Sequence, residues 1–231
     1  MQQLLYDKII AVTGGFGVLG RALADALRDV GAQVALLDRT APPADLSTDI
    51  LALGGIDLGG PTAAFAAMTQ VAARFGGLDG LVNVAGGFSW EAVENGSVET
   101  WDHLYMTNVR TALLTSQAAL PHLLLRGSGR IVNVGALCAG QANFGMGAYA
   151  ASKAGVARLT EAMAEEFKDR GLTVNCVLPS ILDTPANRAE RPRAEFSRWV
   201  APGALAKVIV FLLSDAAGPI NGALIPVKGR V

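Results

Sequence analysis

Tyr149 and Lys153 stand four residues apart in the run Ala148-Tyr149-Ala150-Ala151-Ser152-Lys153. On a helix that spacing puts both side chains on one face, about one turn apart. An ammonium so placed lowers the pKa of a phenol from its ordinary value near ~10 and lets it pass protons near neutral pH. Alone, the pair reads as an ordinary helix face, because Tyr-x-x-x-Lys is common. The run Thr13-Gly14-Gly15-Phe16-Gly17-Val18-Leu19-Gly20 changes that reading. It joins an apolar strand to a helix, where its glycines either solve a tight packing problem or let the backbone approach a pyrophosphate at the helix N-terminus. A dinucleotide held beside an acidic phenol is equipment for redox chemistry.

Asp38 ends the second predicted strand, eighteen residues beyond Gly20. A carboxylate there accepts hydrogen bonds from ribose hydroxyls and repels a 2′-phosphate, which favours NAD(H). The adjacent Arg39 is a possible cradle for that phosphate and keeps NADP(H) open. Gly14, Phe16, Gly17, Val18, Leu19 and Gly20 form the phosphate turn. Asn83, Ala85 and Gly86 follow a strand and fall at the sheet's carboxyl edge beside the adenosine. Asp57 either meets the adenine amino group or forms a turn.

Toward the reacting end, Phe88, Trp90 and Trp199 either stack on a flat ring or fill the core. Ala136, Cys138 and Asn143, with Gln141 and Met146, precede Tyr149 as substrate contacts. Cys138 is either a weak donor or a small buried apolar group. His103 and His122 lie nineteen residues apart with no carboxylate at triad spacing, so both are read as structural.

The elements that position these residues alternate between short apolar runs and longer amphipathic segments, the pattern of a doubly wound parallel sheet with helices on both faces. Strands are predicted over 8–13, 33–38, 80–84, 130–135, 173–178 and 223–227. Helices are predicted over 21–30, 62–75, 98–125, 147–170 and 204–213. Between 39 and 60 the chain is rich in Pro, Ala and Gly, with one short apolar run at 50–53, so the usual helix there is shortened or absent. Residues 184–202 are charged and interrupted by Pro185, Pro192 and Pro202, which predicts a mobile substrate lid.

Length and composition narrow the field. A chain of 231 residues suits one α/β domain over 1–231. A formal net charge of -1 leaves no basic field for nucleic acid or an anionic membrane. No apolar run reaches the ~18 residues a span needs, and the first residues lead directly into a strand, so a cytoplasmic location is expected. Cys138 and Cys176 follow no metal-ligand spacing and are read as free thiols; no metal site is expected.

With the glycine turn, Asn83-Val84-Ala85-Gly86, Asn108, Tyr149 with Lys153, the Asn175 to Pro179 strand end and Asn221-Gly222, the chain resembles the short-chain dehydrogenase/reductase family over nearly its full length. The resemblance implies a Rossmann-type fold, Tyr149 as acid or base, and Lys153 holding the nicotinamide ribose and lowering the phenol's pKa. It implies that Asn108 anchors a water linking Lys153 to solvent, and that Pro179, Ile181 and Thr184 join the cofactor site. It also implies a homodimer or homotetramer built on residues 111–125 and 150–167.

Two positions depart from the family pattern. The glycines are spaced G-x-x-G-x-x-G at 14, 17 and 20. More consequentially, the family's catalytic serine position, thirteen residues before the tyrosine, holds Ala136. Losing one oxyanion donor commonly costs ~10²–10³ in kcat. A conjugated or cyclic acceptor, whose charge spreads over a ring, suffers less than a simple ketone. The turn, the missing serine, Ala85-Gly86-Gly87-Phe88 and the lid resemble the family's dihydropteridine-reducing members, which points to a quinonoid dihydropteridine. Asn108 and Asn221-Gly222 resemble ordinary bacterial ketone reductases of the 3-oxoacyl type. A chain that keeps the cofactor pocket as a non-catalytic scaffold is the third reading.

Overall fold

The computed structural model describes residues 4–231. Its strands are β1 (Ile9–Thr13), β2 (Gln33–Leu37), β3 (Leu51–Leu53), β4 (Gly80–Asn83), β5 (Gly129–Val134), β6 (Leu172–Pro179) and β7 (Leu224–Val227). They form one parallel sheet in the order β3-β2-β1-β4-β5-β6-β7. β1 is buried at every position, which is why it reads as a continuous apolar run rather than an alternation. The order reverses at β1 and β4, so the chains leaving these strands diverge and open a crevice at their carboxyl ends.

The helices are α1 (Val18–Arg28), α2 (Pro61–Phe75), α3 (Val98–Leu104), α4 (Thr111–Arg126), α5 (Gly147–Phe167), α6 (Pro185–Glu190) and α7 (Pro202–Leu213). In α1, Leu19, Leu23 and Leu27 recur every four residues and form one apolar stripe. That stripe joins Leu205, Ile209 and Leu212 of α7 over Val12, Val34 and Val132 of the sheet. On the opposite face Met68 and Val71 of α2, Ala119 and Leu123 of α4 and Met163 of α5 close over Leu81, Ile131 and Val174. Among the described residues no helix is long and apolar enough to cross a membrane.

Two expectations change. The predicted helix over 98–125 is interrupted by a π-helical segment at Tyr105–Arg110, where the Thr111 N–H reaches back five residues to the Met106 carbonyl. The Thr111 hydroxyl donates to the same oxygen at 3.2 Å, so the wider turn has its own fastening. The stretch 184–202, expected as a mobile segment, contains short helices at Pro185–Glu190 and Phe196–Arg198. Leu182 and Val200 form a parallel bridge at its base, Arg188 donates to both carboxylate oxygens of Asp183 at 2.6 and 2.8 Å, and the same guanidinium lies 4.7 Å from the Phe196 ring centre. One of the charges that suggested solvent, Arg188, is thus paired, while Pro185 and Pro202 start α6 and α7 at positions where a missing N–H costs nothing. From 39 to 50 no helix forms, in line with the sequence reading.

Candidate active site

A cleft of about 910 Å³ lies over the crevice between β1 and β4. Its phosphate end is the turn from β1 to α1. Gly14 has φ +63°, and a Cβ there would meet the Ala85 backbone at 2.9 Å. At Gly20 a Cβ would fall 2.4 Å from the Gly14 carbonyl oxygen, so this glycine lets the helix close on the turn. Gly17 differs: its Cβ would touch only the Gly14 oxygen at 3.4 Å, yet the residue lines the cleft. Gly17 caps α1 with no side chain, and no acidic residue stands in the first turn. The N–H groups of Val18, Leu19 and Gly20 therefore have no intrahelical acceptor and all three residues line the cleft. This is the donor set a pyrophosphate requires.

Asp38 stands at the end of β2 and lines the cleft with Arg39 and Thr40. Its Oδ2 accepts from the Phe16 N–H at 3.1 Å, and its Oδ1 accepts from the Thr40 N–H and hydroxyl at 3.0 and 3.1 Å. A carboxylate has about four lone-pair sites, so one on Oδ2 is left for a ribose hydroxyl. Phe16 thus contributes its backbone, while its ring packs on the core. Thr40 was not singled out from sequence; the signal was Asp-x-Thr, the spacing of an Asx turn. Asp57 lines the cleft, and its carboxylate accepts from the Gly59 N–H at 3.0 Å, the turn bond that was one of its two readings.

Asn83 is a correction. It does not reach the cleft: its amide donates to Asn133 Oδ1 at 2.8 Å and to Ser116 Oγ at 3.0 Å, and its oxygen accepts from Thr115. Its register partner on β5 is Asn133, so a buried polar network ties β4 to β5 and α4 beneath the site. Ala85 and Gly86 do line the cleft, and the Ala85 N–H donates to the Thr13 hydroxyl at 3.1 Å, holding the two diverging chains together.

At the inner end Tyr149, Lys153, Ala136 and Phe88 meet. The Phe88 ring stands edge-on to the phenol ring, centres 4.9 Å apart at 83°. Lys153 is almost fully buried and donates to the Val134 carbonyl at 2.9 Å, with its ammonium 5.9 Å from the Tyr149 ring centre. Burial lowers the lysine's pKa from 10.5 to about 8. The phenol moves opposite to the sequence expectation: burial, with Cys138 nearby, raises it above its ordinary value, and Lys153 does not offset the burial. Desolvation outweighs the cation because the ammonium is turned toward Val134.

The remaining candidates separate by placement. Pro179, Ile181 and Thr184 line the cleft, and so do His103, Met106 and Thr107 from the α3 and π-helical stretch. His103 is exposed there rather than structural in the core. Cys138, Asn143 and Trp199 do not line it. Burial raises the Cys138 thiol, Asn143 is exposed, and Trp199 is 8% exposed and packs 5.0 Å from Phe196 in the base of the lid. Asn108 is buried beside the site and bonds Gly87 and Ser152.

Sheet order and cleft together define a Rossmann-type dinucleotide-binding protein. The sequence matches the short chain dehydrogenase family over residues 8–195. It is 33% identical over 250 residues to 2-(S)-hydroxypropyl-CoM dehydrogenase 3 of Xanthobacter autotrophicus, covering 99% of this chain and 98% of that one. It is 31% identical over 234 residues to the 3-oxoacyl-[acyl-carrier-protein] reductase FabG of Escherichia coli, covering 96% of each. Among solved structures, the ligand-free aldohexose dehydrogenase of Thermoplasma acidophilum superposes with a TM-score of 0.89 at 26% identity, over 100% of this chain and 96% of that one. The chain belongs to the short-chain dehydrogenase/reductase family and is an oxidoreductase; proteins of this family use NAD(P)(H).

Proposed function

We propose that this enzyme is an NADH-preferring reductase of a small conjugated or cyclic acceptor, of which a quinonoid dihydropteridine is the specific candidate. The observation that carries the reading is Ala136: at the inner end of the cleft, beside Tyr149, a methyl stands where a hydroxyl would serve a localised alkoxide. The bound dinucleotide supplies or accepts the hydride. Val18, Leu19 and Gly20 hold its pyrophosphate, Asp38 its adenosine ribose and Lys153 its second ribose. Tyr149 gives the proton to the acceptor. With a single donor, the site suits a product whose charge is shared around a ring. Phe88 supplies an apolar wall against which a flat ring packs. Asp38 supports NADH, because a 2′-phosphate beside its carboxylate is a like-charge contact.

A second reading, reduction of simple ketones or oxidation of alcohols, is supported by the relatives named 3-oxoacyl-[acyl-carrier-protein] reductase and 2-(S)-hydroxypropyl-CoM dehydrogenase. Association through α4 and α5 into a dimer or tetramer belongs to either reading. Leu125, 86% exposed at the end of α4, supports it.

Substrate-dependent oxidation of NADH, screened over quinonoid dihydropterins, quinones, imines and ketones, is the test. Turnover of the conjugated acceptors with kcat/KM at least about tenfold better for NADH than for NADPH is the expected result. Activity confined to ketones selects the second reading. Cofactor binding with no turnover of any acceptor would leave a scaffold.

A further inference from the structure

Ser152 precedes Lys153 on α5 and is 3% exposed. Its hydroxyl donates to the Tyr149 carbonyl at 2.7 Å, one helical turn back. Serines in helices often do this, and the bond alone says little. What distinguishes Ser152 is the bond its oxygen accepts, from the Asn108 amide at 2.9 Å. The second amide proton of Asn108 goes to the Gly87 carbonyl at 3.0 Å, and its oxygen accepts from the Gly87 N–H at 2.8 Å. A flipped amide would set donor against donor and carbonyl against carbonyl at Gly87, so only one orientation is satisfied.

Phe88 follows Gly87 and its ring rests against the Tyr149 ring. The contacts therefore close a circuit: from the Tyr149 ring to Phe88, along the backbone to Gly87, through Asn108 to Ser152, and back to the Tyr149 carbonyl. The loop after β4 and the turn of α5 that carries the phenol are fixed to one another by these few buried bonds. In such a network each bond polarises the next, so removing one link loosens the others.

We propose that Ser152 is a positioning residue for proton transfer: through Asn108 it sets the distance between the Tyr149 phenol and the Phe88 wall against which the acceptor lies. This rests on the reading of Tyr149 as proton donor. The competing role is purely structural, with Ser152 only satisfying a buried amide.

Ser152→Ala and Ser152→Thr separate the two, since threonine keeps a hydroxyl able to reach a carbonyl one turn back. Amide hydrogen exchange read by NMR is expected to quicken about tenfold or more at Gly87 in Ser152→Ala, while amides of β1 and β2 keep their protection. In the same variant kcat should fall about ten- to a hundredfold at unchanged Kd for NADH, because small displacements of reacting groups are costly. Ser152→Thr should recover most of both. Unchanged protection at Gly87, or protection lost evenly over the sheet with kcat intact, overturns the proposal. If Ser152→Ala fails to fold, Ser152→Cys, which keeps the volume and weakens both bonds, takes its place with the same readouts. Should the wild-type protein turn over no acceptor, the functional reading fails while exchange at Gly87 still decides whether Ser152 ties the two segments.

Discussion

A phenol buried against an aromatic ring holds its proton more tightly than one in water, and a nearby lysine helps only if its charge faces the oxygen. In this chain the ammonium of Lys153 faces the Val134 carbonyl, and the Tyr149 phenol is raised. Turnover accordingly depends on the phenol as a donor. Tyr149→Phe should lower kcat by about 10²–10⁴, the usual worth of a positioned acid, and leave NADH affinity measured by fluorescence titration nearly unchanged. Ala136→Ser restores the absent hydroxyl and should raise kcat on ketones by ~10–10² while doing little for conjugated acceptors, read in parallel assays on both classes. The pairing of Tyr149 with Lys153 was legible from sequence because a helix fixes neighbours four apart. The direction of the lysine, the burial of Trp199 and the diversion of Asn83 into a network were not. The lysine and the asparagine are decided by contacts with Val134 and Asn133 on β5, distant in sequence, and Trp199 by the packing of its own segment around Phe196.

The turn between β1 and α1 separates glycines that build the element from one that leaves room for a ligand. Gly20→Ala places a methyl 2.4 Å from the Gly14 oxygen. It should lower Tm by about 3–10 °C, the scale of an overpacked core site in a chain of this length. At Gly17 the methyl meets little, so Gly17→Ala should keep its Tm in thermal denaturation and weaken NADH binding about tenfold or more, as one misplaced carbon can. Equal losses of Tm in both variants would remove the distinction. Element positions were readable where apolar periodicity and Gly or Pro punctuation agree, as in α1 and α2. The π-helical turn was not readable, because Tyr105 to Arg110 carry no local signal for a wider turn; Thr111 fastens it from the next element. The short helices of the 184–202 stretch were not readable for a related reason, as a pair such as Asp183 with Arg188 looks in sequence like two solvated residues.

At the level of the whole molecule, the buried lysine links stability to pH. Its pKa in the fold is about 8 against 10.5 unfolded, so between these values the unfolded chain binds more protons and stability rises with pH. Above pH 10 the raised phenol acts in the opposite sense, which confines the useful window to about pH 8–10. Lys153→Met should abolish the rise and, at neutral pH, relieve a cost on the order of 3 kcal/mol, as read from urea unfolding at about pH 7 and pH 9.5. An unchanged slope would mean that the ammonium is solvated. The sheet order was legible in outline from the alternation of apolar runs and helices, whereas its edges depended on β3, three residues too short to announce themselves. One further property follows from where the indoles stand. Trp90 lies on the Gly145 backbone with its N–H on the Phe144 carbonyl, Trp101 rests near Gly147, and Trp199 anchors the lid. None belongs to the sheet, so the protein's ultraviolet emission comes from α3, the loop after β4 and the 184–202 stretch, and follows changes in those segments rather than in the strands.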